Sequence, residues 1–229
     1  MNMKISMING SPKVNTSCSG LLLEQVKKDI LEQRKDVFSP EDFNIYRMNI
    51  NPLSDADIAE IVKSDIIVVA FPLYVDGIPS HMLSALYQLE EAFVKIPDAP
   101  KPTFYGIINN GFSESIQNQH AANMLKLFCK RAGIPFGQVF ALGAGEMTRS
   151  MIESNVPVGQ GPLSHMKDDW AEFITHITRL ESASTIFCSP KFPAWVFNLI
   201  GNHTFWTPAA KANGISKKDM NRKKVYSPN

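Results

Sequence analysis

INGSPKVNTSCSGLLLEQV, residues 8–26, decides how this chain is read. An apolar strand, MKISMIN (3–9), enters a loop dense in Gly, Ser, Thr and Asn, then a leucine-rich helix over 18–34. A strand-to-helix connection needs only a turn residue or two. This one offers Ser11, Asn15, Thr16, Ser17 and Ser19 where a helix starts and its first backbone N–H groups have no intrahelical acceptor. Hydroxyls, unpaired N–H groups and the positive end of the helix dipole together suit an anion, and Lys13 adds a mobile cation. The spacing matches neither G-x-G-x-x-G nor G-x-x-x-x-G-K-[ST], which argues against a dinucleotide fold and a nucleotide hydrolase. Read blandly, the same residues are an N-cap and a polar turn.

Outward from this loop the pattern repeats. FNIYRMNI (43–50) reads as a second strand, and Ser54 with Asp57 forms a capping-box variant that starts a helix through Lys63. DIIVVAFPLY (65–74) is a nearly unbroken apolar run, as expected of a parallel strand covered on both faces. Pro79, at a first helical position, opens a helix whose Met82, Leu86, Leu89 and Phe93 share one face. TFYGIINNG (103–111) and GQVFALGAG (137–145) read as strands four and five. Ala121, Leu125, Phe128 and Ala132 mark the helix between them, and Trp170, Phe173, Ile174, Ile177 and Leu180 the closing one. Five βα units predict a doubly wound α/β domain with helices on both faces of a parallel sheet. Beyond residue 188 the pattern breaks. Phe192, Trp195, Val196, Leu199 and Ile200 fall at helical spacing, Phe205 and Trp206 follow, and Pro208 to Gly214 reads as a short helix. Lys217, Lys218, Arg222, Lys223 and Lys224 finish the chain and read as a solvated end.

Composition narrows the function. With 229 residues and a formal charge of +1, the chain is not built mainly to hold nucleic acid or an anionic membrane, and neither partner is expected. Cys18, Cys129 and Cys188 are odd in number and widely spaced, so neither a disulfide framework nor a metal site is expected. The N-terminus lacks the features of a signal peptide and no apolar run spans a bilayer, so a soluble cytoplasmic protein is the expectation.

In an open parallel sheet, ligands bind outside the carboxyl ends of the strands. Two more loops lie there. FPLYVDGIPS (71–80) is apolar and stiff, and can wall a flat ring with Tyr74 stacking and peptide groups of Leu73 to Gly77 at its polar edge. Alternatively it is a βα turn whose tyrosine packs on a helix. His81, just after it, reads as an ordinary surface or capping residue. INNGFSE (108–114) carries Asn-Asn-Gly, which tolerates left-handed backbone and can turn N–H groups toward a ligand, with Phe112 as a cap. Alone it is only a turn.

Taken in order with GAGE (143–146), the three loops resemble the flavodoxin-fold NAD(P)H-dependent FMN reductases over residues 3–183. The resemblance implies a flavodoxin-like three-layer αβα sandwich whose five-stranded parallel sheet runs 2-1-3-4-5. It implies non-covalent FMN in a domain of residues 1–188, followed by a C-terminal helical extension over 189–229. By position the phosphate falls to Ser11, Lys13, Ser17, Cys18 and Ser19. The isoalloxazine falls to Pro72, Leu73, Tyr74, Val75, Asp76 and Gly77 on one side and to Asn109, Asn110, Gly111 and Phe112 on the other. Many relatives carry Tyr-Trp-Gly where this chain has Tyr74-Val75-Asp76-Gly77. The implied activity is hydride transfer from NAD(P)H, as co-substrate, to a small-molecule electron acceptor such as a flavin, quinone or nitroaromatic. No catalytic side chain is required, because the flavin supplies the electronics and backbone N–H groups stabilise charge on the reduced ring. Relatives of this fold often pair, so a homodimer is expected, its tail contributing to the interface or the pocket wall. The alternative is a flavodoxin-like single-electron carrier.

Overall fold

A computed structural model describes residues 3–13, 15–48, 50–191 and 194–220. Phe192 of the expected tail stripe, and Arg222, Lys223 and Lys224 of the basic end, lie outside the described residues. The chain divides into two units, Met1–Pro190 and Lys191–Asn229.

The first unit is organised by its most apolar run. Strand β3 (Ile66–Pro72) is buried on both faces, which requires helices on both sides of the sheet. Its alternation splits the core in two. Ile67, Val69 and Phe71 face a cluster with Met82, Leu86 and Leu89, whereas Ile66, Val68 and Ala70 face one with Leu22, Val26 and Phe173. Around it lie β1 (Ile5–Asn9), β2 (Phe43–Arg47), β4 (Thr103–Asn109) and β5 (Phe136–Leu142), all parallel. On one face pack α2 (Asp55–Ile61), α3 (Ser80–Val94) and α4 (Gln119–Ala132). The other face carries α1 (Cys18–Gln33), α5 (Gly145–Glu153) and α6 (Lys167–Arg179). The result is the expected three-layer αβα sandwich.

The sheet has six strands, not five. A short strand β6 (Ile186–Cys188) pairs in parallel with β5, and the order is 2-1-3-4-5-6. Its approach is pinned by backbone and side chain: Ala183 N donates to Gly137 O at 2.8 Å and Gln138 Nε2 to Ser184 O at 2.9 Å. Two details of the helices also differ from expectation. Pro79 is the N-cap of α3 rather than its first residue. Leu180 lies beyond α6, exposed and at φ 57°, because it forms the left-handed C-cap instead of continuing the buried stripe. The Ser54–Asp57 capping box is present, but α2 ends at Ile61.

In the second unit, α7 (Ala194–Gly201), a π-helical turn (Asn202–Trp206) and α8 (Thr207–Ala212) follow one another without a break. The rings of Phe205 and Trp206 meet edge to face at 5.1 Å. Gly214, at φ 69°, precedes the single turn α9 (Lys217–Met220).

Candidate functional site

Parallel pairing places the ends of β1, β3, β4 and β5 side by side, and a cleft of about 210 Å³ opens there. Three stretches line it: Ser11, Lys13 and Ser17–Ser19; Pro72–Tyr74; and Asn109–Gly111. Glu146 completes the wall. Of the fifteen residues expected from the sequence, Val75, Asp76, Gly77 and Phe112 do not line it.

The first wall is built at the start of α1. Asn9, the last residue of β1, accepts from Ser11 N through Oδ1 at 3.0 Å and so folds the chain sharply after Gly10. A Cβ at Gly10 would meet Met82 Sδ at 2.7 Å and Phe71 Cβ at 3.2 Å, so any other residue would have to push the Met82 side chain aside. His81 braces the same turn, its Nε2 lying 2.8 Å from Gly10 O. Ser17 is the N-cap of α1: its Oγ accepts from Gly20 N at 3.1 Å. Helix geometry then leaves the N–H groups of Cys18 and Ser19 without intrahelical acceptors, on the cleft wall. Ser11, Ser17 and Ser19 are all buried. Burial pushes the Cys18 thiol up to about 12, so it is neutral at ordinary pH and acts there as a weak donor, not a thiolate.

The second wall differs from expectation in its use of backbone. Tyr74 and Gly77 exchange hydrogen bonds, N to O at 3.1 Å and 3.0 Å, and close a tight reverse turn over Val75 and Asp76. Both central residues have positive φ, 47° and 58°, the geometry of a type I′ turn that Asn-Gly normally supplies. Leu73 N is spent on Asn109 O at 2.8 Å. The N–H groups of Leu73, Tyr74 and Gly77 are therefore not available to a ring edge. What this loop presents to the cleft is Pro72, Leu73 and the half-exposed Tyr74, while Val75 stands fully in solvent.

The third wall turns without left-handed backbone: neither Asn109, Asn110 nor Gly111 has positive φ. The Asn110 side chain makes the turn instead. Its Oδ1 accepts from Phe112 N at 2.9 Å and its Nδ2 donates to Glu114 O at 3.2 Å. Asn110 N is bound to Leu142 O at 3.1 Å, which leaves Gly111 as the loop's open N–H on the cleft wall among the described residues. The left-handed residue sits in the next loop, at Ala144 (φ 55°), the N-cap of α5. Gly143 and Gly145 let that loop approach the third one closely. A Cβ on Gly143 would meet the backbone of Ser113, and one on Gly145 the side chain of Asn109 at 3.0 Å.

That packing delivers Glu146, the last residue of GAGE, which is not among the residues the sequence assigns to the site. Lys13 Nζ lies 2.6 Å from Glu146 Oε1, and Arg149 Nε lies 2.9 Å from Oε2. Burial pushes the Glu146 carboxyl up, but the hydrogen bonds from Lys13 and Arg149 outweigh it and hold the group below its usual range. Lys13 is thus paired, not mobile.

No family model matches the chain, and no curated protein does either. Among solved structures, one of an NADH:FMN oxidoreductase in its apo form aligns over 78% of this chain and 88% of that one, at 18% identity and TM-score 0.51. The first five strands run in the order 2-1-3-4-5 with a ligand-sized cleft at the switch point, the flavodoxin arrangement. The chain has a flavodoxin-like fold. Two more distant structures align as well. The Trp repressor binding protein from Bacillus subtilis shares 14% identity over 69% of this chain and 100% of its own, TM-score 0.48. An NADPH-quinone reductase from P. pentosaceus shares 10% over 68% and 100%, TM-score 0.45. Within the flavodoxin-like domain, no group of three or more His, Cys, Asp or Glu among the described residues is arranged to hold a metal ion. No described helix is long and apolar enough to cross a membrane.

Proposed function

We propose that this chain binds FMN non-covalently in the cleft and uses it to carry hydride equivalents from NADH or NADPH to a small acceptor such as a flavin, quinone or nitroaromatic. The observation that carries this reading is the meeting of an anion cradle and an apolar slot in one cleft. Ser11, Ser17, Ser19 and the first N–H groups of α1 offer neutral donors to a terminal phosphate. Pro72, Leu73 and Tyr74 lie beside Asn109–Gly111 at the same opening, an apolar stretch next to a polar one that suits a flat ring with one polar edge. A fold neighbour named an NADH:FMN oxidoreductase supports the same reading.

When bound, FMN supplies the two-electron chemistry. The chain's own residues bind, orient and exclude water. Ser19 and Asn109, hydrogen-bonded to each other, fix the spacing between the phosphate cradle and the ring wall. Gly111 N–H would be the donor for negative charge at the ring's polar edge. Tyr74, half-exposed at the mouth, would screen the bound ring from bulk water while the co-substrate and the acceptor reach it. No side chain in the cleft is needed as nucleophile, and the neutral Cys18 thiol is unsuited to that role.

The test is spectroscopic. Purified protein incubated with excess FMN and gel-filtered is expected to retain flavin bands that acid precipitation releases. Anaerobic NADH or NADPH is then expected to bleach them in one two-electron phase. Failure to retain or perturb any flavin would end the proposal. A slow reaction with both nucleotides, with reduction in two resolved one-electron steps by dithionite, would favour the electron carrier.

A further inference from the structure

We propose that Glu146 limits how tightly the cleft holds a phosphate, by occupying the Lys13 ammonium that the phosphate needs. The inference rests on the flavin reading above and adds an affinity-setting residue to it.

Four charged side chains form a chain that starts on the cleft wall, at Lys13 and Glu146, and runs back from it along α5. Lys13 Nζ meets Glu146 Oε1 at 2.6 Å, Glu146 Oε2 meets Arg149 Nε at 2.9 Å, and Arg149 Nη1 meets Glu153 Oε2 at 2.8 Å. On the wall itself one cation, Lys13, balances one carboxylate, Glu146. The remaining polar lining consists of hydroxyls, carboxamides and a neutral thiol. An entering phosphate therefore meets a wall with no net positive charge, and a carboxylate within it.

Residues 13 and 146 are 133 positions apart, so their contact is made by the fold, not by helix spacing. Both side chains are about half exposed, at 46% and 56%, and an ion pair that open to water contributes little to folding. Its charge matters more to a ligand in the cleft than to the domain. The arrangement is also asymmetric. If Glu146 loses its charge, Arg149 keeps Glu153, whereas Lys13 loses the only carboxylate within 4 Å among the described residues. The freed ammonium is the cation closest to Ser11 in sequence and lies on the same cleft wall. A phosphate then gains a full charge-assisted contact without having to displace a carboxylate.

The experiment is a set of fluorescence titrations of FMN and riboflavin into the full-length wild type, Glu146→Gln, Lys13→Ala and the double variant, at one ionic strength. Glu146→Gln is expected to bind FMN about tenfold tighter, the scale of one unshielded charge pair, with riboflavin within about twofold. Lys13→Ala is expected to weaken FMN binding, and adding Glu146→Gln to it to recover little. Circular dichroism on each variant verifies the fold. If riboflavin and FMN both bind but Glu146→Gln holds FMN no tighter, the inference falls and the flavin reading stands. If the gain survives in the Lys13→Ala background, Glu146 repels the phosphate directly and the Lys13 link is wrong. If the wild type binds neither flavin, the cleft reading falls and takes this inference with it.

Discussion

Asn109 Nδ2 donates to Ser19 Oγ at 2.8 Å across ninety residues of sequence, and the same amide group donates to Phe71 O at 3.1 Å. One carboxamide thus ties the start of α1 to the ends of β3 and β4, the three pieces of the cleft. Ser19→Ala leaves a buried amide hydrogen without its acceptor, at a cost of about 1–3 kcal/mol. The expected outcome is a clear fall in thermal midpoint together with weaker binding of riboflavin as well as FMN, because the ring wall shifts with the cradle. Calorimetry and paired flavin titrations check it.

Ser17 has a narrower role. As N-cap it satisfies Gly20 N, and Ser17→Ala is expected to lower stability by about 1 kcal/mol, or about 2–4 °C in midpoint for a domain of this size. Ser17→Asp keeps the cap but brings a negative charge beside the anion cradle. It is expected to retain the wild-type midpoint while losing FMN affinity more than riboflavin affinity.

Val75 occupies left-handed backbone, φ 47°, with its side chain fully in solvent. A β-branched residue there carries strain that no contact repays. Val75→Asn, suited to the first central position of a type I′ turn, is expected to raise stability by about 1 kcal/mol without altering the cleft-lining side chains. A thermal melt measures the gain, and a fall in midpoint would refute the turn assignment.

Two of the three buried thiols give the protein an alkaline limit. Burial pushes Cys18 and Cys129 up to about 12 from an ordinary value of 9.0. The unfolded chain releases these protons near pH 9 and the folded chain does not. Stability is therefore fully present below pH 9 and declines as pH rises from 9 toward 12, by up to about 1.4 kcal/mol per pH unit for each thiol. Urea melts across that range check the slope, and Cys18→Ser/Cys129→Ser is expected to flatten it. Thiol-reactive dye at pH 8 is expected to label either cysteine slowly until denaturant is added.

The tail is separable from the sheet only at the right residue. Ser189 Oγ accepts from Ser115 N at 2.9 Å and donates to Ser115 Oγ at 2.8 Å, just after β6. A chain ending at Pro190 is expected to keep a cooperative melt and its flavin binding. One ending at Ser184 loses β6 and this anchor, and is expected to melt several degrees lower. Gel filtration of the full chain and of 1–190 tests the expected homodimer and the tail's part in it.

Most of the fold was legible because it rests on periodicity. The five longer strands and the stripes of α3 and α4 announce themselves through apolar spacing that burial then confirms. Strand β6 did not, since three residues between SAST and SPK are too few to show a period, and its approach is set by contacts to Gly137 and Gln138, over forty residues earlier. The cleft was legible as three loops at strand ends, and eleven of its twelve lining residues were named from them. Glu146 was not, because its importance comes from a partner 133 residues away. The turn at Val75-Asp76 was hidden for another reason: its sequence contradicts its geometry, and only the Tyr74–Gly77 pairing enforces it.

The brevity of β6 has a bearing on how copies of this chain can meet. The two rims of a sheet carry unpaired peptide groups and invite a neighbouring chain to add a strand. On one rim only Ile186–Cys188 are paired, and Pro190 follows two residues later with no N–H to offer. On the other, β2 is five residues long, ends in the charged Arg47 and is entered from Pro40 through a 3₁₀ turn. Neither offers a long, flat, apolar template. Self-association by strand addition is thereby discouraged at both sides of the sheet.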